Sequence, residues 1–221
     1  MTVVTHRTQR EAQRAAAPRA NAAVAGVAEA EAERAAVARM LHDEVMQTLV
    51  TARWLAERSG DEQVRDAVRD AMAEATAAMW RLRPRTSDGR LVQALDQLAD
   101  RYPDRVVCVR ADGVPDVLNV TAATVAFRVV QAALAACTGR TVEVRVAVLR
   151  GVLEVAMCDD GPPYEAALAE AESELTRWLA RAGALGGSAR VGDGLTGGTT
   201  LLLELPDALT AVPQSTREPH A

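Results

Sequence analysis

Glu33-Arg34-Ala35-Ala36-Val37-Ala38-Arg39-Met40-Leu41-His42-Asp43-Glu44-Val45-Met46-Gln47-Thr48-Leu49 is the stretch on which the reading of this 221-residue chain turns. Apolar side chains return at Val37, Leu41, Val45 and Leu49, the period of a helix with one buried stripe. Beside that stripe stands His42, one of only three histidines, followed by Asp43 and, four residues after the acid, by Gln47. On an α-helix this spacing puts Asp43 and Gln47 on one face, with His42 about 100° round from Asp43. All three can then address one incoming phosphate or carboxylate. Spacing alone is equally met by a solvated helix face carrying an ordinary histidine.

Working outward, the pattern extends from about Ala28 to Glu57 as a long helix without caps, and Ser59-Gly60-Asp61 breaks it. A second helix is expected from Asp61 to about Arg83, with Val64, Val68, Ala71, Ala75, Met79 and Leu82 as its stripe and Pro84 as its stop. Two long helices joined by so short a turn lie antiparallel. A lone hairpin cannot enclose its stripe, so a homodimer forming a four-helix bundle is expected. Residues 1–27 are rich in Ala, Arg and Gln and interrupted by Pro18; they read as a flexible, frayed or partner-dependent extension with no fold of their own.

After Thr86-Ser87-Asp88-Gly89 the texture changes. Helices are expected at 91–99, 121–137 with Thr121 as N-cap, and 165–181; strands at 106–110, 141–149, 152–158, 188–191 and 199–205. Arg150-Gly151 between two alternating runs reads as a hairpin turn. The sum is an α+β chain with four parts: the extension 1–27, a helical hairpin 28–88, a mixed sheet with helices on one face 89–206, and a disordered tail 207–221 carrying Pro213 and Pro219.

Composition sets limits on function. All 25 basic residues are Arg, the net charge is −5, and no basic stripe interleaves with aromatics, which make up only 3% of the chain. Nucleic acid is therefore not expected as a partner. Cys108, Cys137 and Cys158 are odd in number and widely spaced, which fits neither a disulfide framework nor a zinc site and points to a reducing cytoplasm. No apolar run approaches the about 18 residues of a membrane span.

At this point the residues carry a resemblance. The segment from Ala32 to Gln47, with Leu41-His42-Asp43-Glu44-Val45-Met46-Gln47 as its most specific part, resembles the dimerisation and phosphotransfer segment of histidine kinases that work with NarL-type response regulators. Leu82-Arg83-Pro84 is similar to the end of that family's second helix. Phe127-Arg128-Val129-Val130-Gln131, Asp159-Asp160-Gly161, Ala184-Leu185-Gly186-Gly187 and Gly197-Gly198-Thr199 follow in the order of its ATP-binding domain. The resemblance implies a four-helix dimer bearing a phospho-accepting His42, then a Bergerat-type sandwich in which Asp159, Gly161, Gly198 and Thr199 belong to the nucleotide site.

The departures fall on the ATP chemistry. Where the family has a glutamate and a magnesium-binding asparagine after Gln131, this chain has Ala132 and Ala136, and Thr138-Gly139 replaces the basic residue and histidine expected next. Alanine can neither coordinate magnesium nor orient water, and phosphoryl transfer from ATP needs both. Pro163 stands for the second glycine of the Asp159-Asp160-Gly161 box, fixing φ where the loop needs freedom. The glycine-rich lid becomes Glu165 to Leu175, acidic and helix-forming, with carboxylates that repel a triphosphate.

The resemblance with these departures implies a two-component signalling protein without a cofactor of its own, acting on a response-regulator receiver domain. His42 would accept and pass on a phosphoryl group with Asp43 holding its ring, or Gln47 would orient water for hydrolysis of an aspartyl phosphate. The alternatives are an active sensor kinase with a divergent site for ATP and Mg, and a non-enzymatic adaptor that sequesters a regulator.

Overall fold

The computed structural model describes residues 3–82, 86, 88–162, 173–194 and 198–209, with the side chains of 3–17, 20 and 80 left undescribed. The chain divides into two compact units, one of residues 25–84 and one of residues 85 onward together with the first 24.

In the first unit the break at Gly60 governs the architecture. Gly60 takes a left-handed φ of 73° as the cap of one helix, and Asp61 Oδ1 accepts the Gln63 and Val64 N–H groups at 2.9 and 3.2 Å to start the next. Helix α3 (Glu62–Leu82) folds back on α2 (Gln47–Ser59). The incoming helix α1 (Val3–Met40) begins far upstream of Ala28 and passes residue 27 without a break. Its Ala, Arg and Gln content favours helix strongly enough to extend through Pro18. Between α1 and α2, Leu41–Met46 winds as a π-helix, where an unbroken α-helix was expected. Met79 is buried, whereas Val37, Val45, Val50, Trp54, Leu55 and Val64 remain exposed.

The second unit is a five-stranded mixed sheet in the order β1-β2-β3-β5-β4. Its strands are β1 (Val106–Asp112), β2 (Thr141–Leu149), β3 (Val152–Asp159), β4 (Ser188–Asp193) and β5 (Thr199–Leu205). Only β1 and β2 pair parallel, and the crossover between them is α5 (Val120–Ala136). The β2–β3 hairpin turns on Arg150 and Gly151, both at positive φ. Alternation sorts the strands cleanly: Val142, Val144, Val146, Val155, Met157, Leu201 and Leu203 are buried on one face, while Glu143, Arg145, Cys158 and Leu202 lie on the other.

Helices α4 (Leu91–Ala99), α5 and α6 (Glu174–Ala184) cover the apolar face, with Trp178 of α6 fully buried. The N-cap of α5 is Asn119, not Thr121: its side-chain oxygen accepts the Thr121 and Ala122 N–H groups. Helix α6 starts at Glu174 behind an Ser173 cap. Residues 165–172 of the expected lid at 165–175, Pro163, Gly197, the stop at Arg83-Pro84 and the tail beyond 209 lie outside the described residues. The start of the expected disordered tail instead packs on the sheet unit: Ala208 is buried, its N–H donates to the Gly151 carbonyl at 2.9 Å and its carbonyl accepts the Asn119 N–H at 2.8 Å.

Candidate functional site

Two sets of residues carry the sequence-based expectations, one in each unit. In the helical unit, His42, Asp43 and Gln47 are all exposed, and so is Glu44 between them. His42 and Asp43 sit inside the π turn and Gln47 is the first residue of α2. Among the described residues no hydrogen bond joins His42 to Asp43, so the imidazole is presented to solvent without a protein partner. The apolar flank of this turn continues into a groove of about 550 Å³ between the two helices of the hairpin, lined by Val45, Leu49, Ala71, Ala75, Ala78 and Arg81. The small side chains of α3 leave it open.

The π turn alters the geometry that spacing implied. A helix stacks the pair of residues that its hydrogen bonds join, i and i+4 in the α form and i and i+5 in the π form. Residues five apart lie about 140° apart on an α-helix but close to one face in a π turn. Gln47, however, is the first residue of α2 and donates its N–H to the Glu44 carbonyl, three residues back, so the π winding is confined to Leu41–Met46. No sequence signal marks this: Val37, Leu41, Val45 and Leu49 repeat every four residues whichever form the backbone takes.

In the sheet unit, the residues assigned by resemblance to a nucleotide are brought together at one end of β3 and β5. Asp159 closes β3 and pairs in register with Thr199 at the start of β5. Both are buried. The Asp159 carboxylate accepts the Gly161 N–H at 2.7 Å, and the Thr199 hydroxyl donates to the Pro162 carbonyl at 3.2 Å. Beneath them the Cys137 thiol accepts the Gly139 N–H at 3.2 Å. Burial pushes that thiol up, the Gly139 N–H opposes the rise, and the neighbouring Asp159 carboxylate adds to it.

The glycines here are steric requirements. Gly198, at φ 82°, lies so close to the Asp159 carbonyl that a Cβ would fall on it. A Cβ on Gly161 would meet the Gly139 nitrogen at 2.6 Å, and one on Gly139 would meet the Gly161 nitrogen at 2.8 Å. Gly139 therefore cannot carry the basic or imidazole side chain that the resemblance expects after the helix. Asp160 is tied down as well: its Oδ1 accepts the Arg140 and Thr141 N–H groups at 2.7 and 3.0 Å, and those bonds hold its carboxyl below the usual range.

On α5, Ala132 is buried and Ala136 is half-buried at the last turn. The same helix holds a polar pair that the sequence showed only as part of a motif. Arg128 is buried and donates through Nη1 to Gln131 Oε1 at 2.8 Å, while Gln131 Nε2 has no partner among the described residues. On the helix-free face, a hollow of about 760 Å³ is lined by Glu143, Arg145, Cys158, Asp160, Asp193 and Leu202. There Arg145 grips Glu143 through two bonds of 3.0 and 3.1 Å and holds its carboxyl down. Among the described residues no group of three or more His, Cys, Asp or Glu side chains could hold a metal ion, and no helix is long and apolar enough to cross a membrane. All three cysteines are free.

No protein-family model and no curated protein matches the sequence. Solved structures do, among them histidine kinases and histidine-kinase catalytic and ATP-binding domains. The blue-light activated histidine kinase EL346 of Erythrobacter litoralis is 18% identical over 74% of this chain, with a TM-score of 0.45. This chain spans 60% of that kinase's length. The ATP binding domain of PrrB from Mycobacterium tuberculosis is 24% identical, covering 54% of this chain and 92% of its own, with a TM-score of 0.41. Full-length ShkA in complex with AMPPNP is 17% identical over 83% of this chain and 47% of its own, with a TM-score of 0.48.

Proposed function

We propose that this chain is a histidine-kinase-like protein of two-component signalling that exchanges phosphoryl groups with a response-regulator receiver domain and does not use ATP. The observation that carries the reading is the motif Leu41 to Gln47 standing on a hairpin helix with His42, Asp43 and Gln47 all exposed to an incoming protein. In transfer, a neutral imidazole nitrogen of His42 attacks the phosphorus of an aspartyl phosphate. The P–N bond forms, the P–O bond to the aspartate breaks, and the carboxylate leaves with its electron pair; a second receiver reverses the step. Asp43 makes no hydrogen bond to the ring in the free chain; on docking, a turn of the imidazole towards that carboxylate would fix the tautomer with the attacking nitrogen unprotonated. In hydrolysis, Gln47 orients water towards the same phosphorus. The magnesium in either case is the receiver's own.

The loss of ATP chemistry is supported by Ala132 and Ala136, by the absence of room for a side chain at Gly139, and by the internal bonds of Asp159 and Thr199. The subunits pair through residues 28–85, covering Val37 and Val45, which a single chain leaves exposed. Mixing the protein with a receiver domain phosphorylated at its aspartate, and following label on both chains, tests the reading. Label arriving on His42 establishes transfer, and free phosphate without it establishes hydrolysis. No loss of label from the receiver leaves the adaptor, and labelling of His42 from ATP establishes a working kinase.

A further inference from the structure

The face of α2 that turns away from α3 carries two large apolar side chains in water. Ala52 and Ala56, half-buried and buried, mark the side of α2 that packs inward, and Leu49 lines the groove beside α3. Trp54 stands about 160° round the axis from both alanines and about 140° from Leu49. Pairing of subunits through the apolar stripe therefore leaves it exposed. Trp54 is 55% exposed and Val50, one turn before it, 54%. The Arg58 guanidinium lies over the Trp54 ring at 4.7 Å. Among the described residues no carboxylate pairs with Arg58, whereas Arg53 is held by Glu57 at 2.9 Å. Gln47 begins the same helix, seven residues before Trp54, which places the two about 20° apart round the axis and about 10 Å apart along it. A stable interface buries about 800 Å² on each partner, a patch of roughly 16 Å radius, so a domain centred on Gln47 covers Trp54 as well.

We infer that Trp54 and Arg58 are the docking anchor for the receiver domain: Trp54 enters an apolar recess of the receiver, and Arg58 meets a carboxylate beside that recess. Tryptophan and arginine are the side chains that most often dominate protein interfaces, and an arginine without an acid of its own is the half of an ion pair that a partner completes. The inference rests on the reading of His42 to Gln47 given above, which supplies the partner. Its first test is binding, which needs no phosphoryl chemistry. The probe is the receiver domain of the exchange assay, without phosphate, titrated against the full-length protein by calorimetry. Trp54→Ala should weaken binding about 30-fold or more, the size of a hot-spot truncation, and Trp54→Phe, which keeps a ring, should recover most of the loss. Arg58→Ala should make the affinity less sensitive to salt; unchanged sensitivity removes the carboxylate from the proposal.

Both side chains are exposed, so melting and the mass seen by light scattering should not change. With the receiver phosphorylated, Trp54→Ala should raise the receiver concentration that gives half-maximal exchange and leave the rate at saturation as in the wild type, because Trp54 acts in docking and not on the reacting groups. Wild-type affinity in Trp54→Ala, with exchange intact in the wild type, overturns the docking anchor and leaves the proposed function standing. Binding that depends on Trp54 without any phosphoryl exchange does the opposite and leaves an adaptor. A drop in mass for Trp54→Ala means that a second copy of the chain covers this face and overturns the anchor. A wild type that neither binds the receiver nor exchanges with it overturns both.

Discussion

The two units treat their polar groups in opposite ways. On the hairpin, His42, Asp43 and Gln47 face solvent, and no hydrogen bond joins the imidazole to the adjacent acid. In the sheet unit, Asp159 and Thr199 are buried and bonded to backbone groups of their own chain. A buried group already bonded inside the fold must keep or break that bond when a ligand arrives, which reduces the gain. A group left in water exchanges one partner for another at small cost. The difference favours the hairpin over the loops of the sheet unit as the place where an incoming group can bind.

The largest effect should fall on the hairpin. If His42 carries the phosphoryl group, His42→Gln should abolish transfer from a labelled receiver, while Gln47→Ala leaves it largely intact. If the reaction is hydrolysis, Gln47→Ala should slow release of phosphate roughly 10²-fold, the size typical of losing one positioned catalytic group, and His42→Ala should matter less. Both side chains are exposed, so circular dichroism and melting should stay within the about 0.5 kcal/mol usual for surface changes. Wild-type behaviour of both variants would make the two units equally inert.

Next in size is a missing effect. A protein that binds Mg-ATP gains about 2.7 kcal/mol at 100 times the dissociation constant, which a thermal-shift titration sees easily. Here no magnesium-dependent shift is expected. Restoring polar groups by Ala132→Glu with Ala136→Asn should not create one, because Gly139 has no room for the missing neighbour and Asp159 already serves Gly161. A shift in the double variant would show that two side chains, and not the packing of the loops, hold the site closed.

Asp159→Ala separates structure from chemistry. It leaves the buried Gly161 N–H without its acceptor, so urea unfolding should lose about 1–3 kcal/mol, while phosphoryl exchange at His42 stays at the wild-type rate. A fall in exchange without a fall in stability would mean that Asp159 serves the reaction, and the contrast between the units would fail.

Much of this was legible in the chain. Strands 141–149 and 152–158 alternate in sequence as they do in burial, and Gly60 with Asp61 marks the hairpin turn by backbone freedom and a cap. Parallel pairing of β1 with β2 is a long-range choice that no local pattern of 106–112 encodes. Asn119 is hard to tell from Thr121 as a cap in sequence, because both side chains offer an oxygen to the first-turn N–H groups. The π turn is invisible in sequence for a deeper reason: a four-residue apolar repeat fits both windings. At the candidate site, residue identity pointed to His42, Asp43 and Gln47. The closure of the loops around Asp159 depends on distances between backbones that only the fold supplies.

The smallest effect concerns Asp160, the exposed neighbour of the buried Asp159. Bonds from the Thr141 and Arg140 N–H groups lower its folded-state pKa from the ordinary value of 3.8. A carboxyl depressed on folding adds stability that is present above its unfolded pKa and is lost as pH falls through the folded one. The midpoint of urea unfolding should therefore drop in acid below the ordinary carboxylate range. Asp160→Asn keeps an oxygen that accepts both N–H groups but cannot titrate, so its acid limb should be shallower than that of the wild type. It should not be flat, because Glu143, held down by Arg145, still contributes. Identical acid limbs for the two proteins would mean that the Asp160 bonds shape the turn after β3 without discriminating charge, and the loop end of the sheet would then owe its closure to backbone geometry alone.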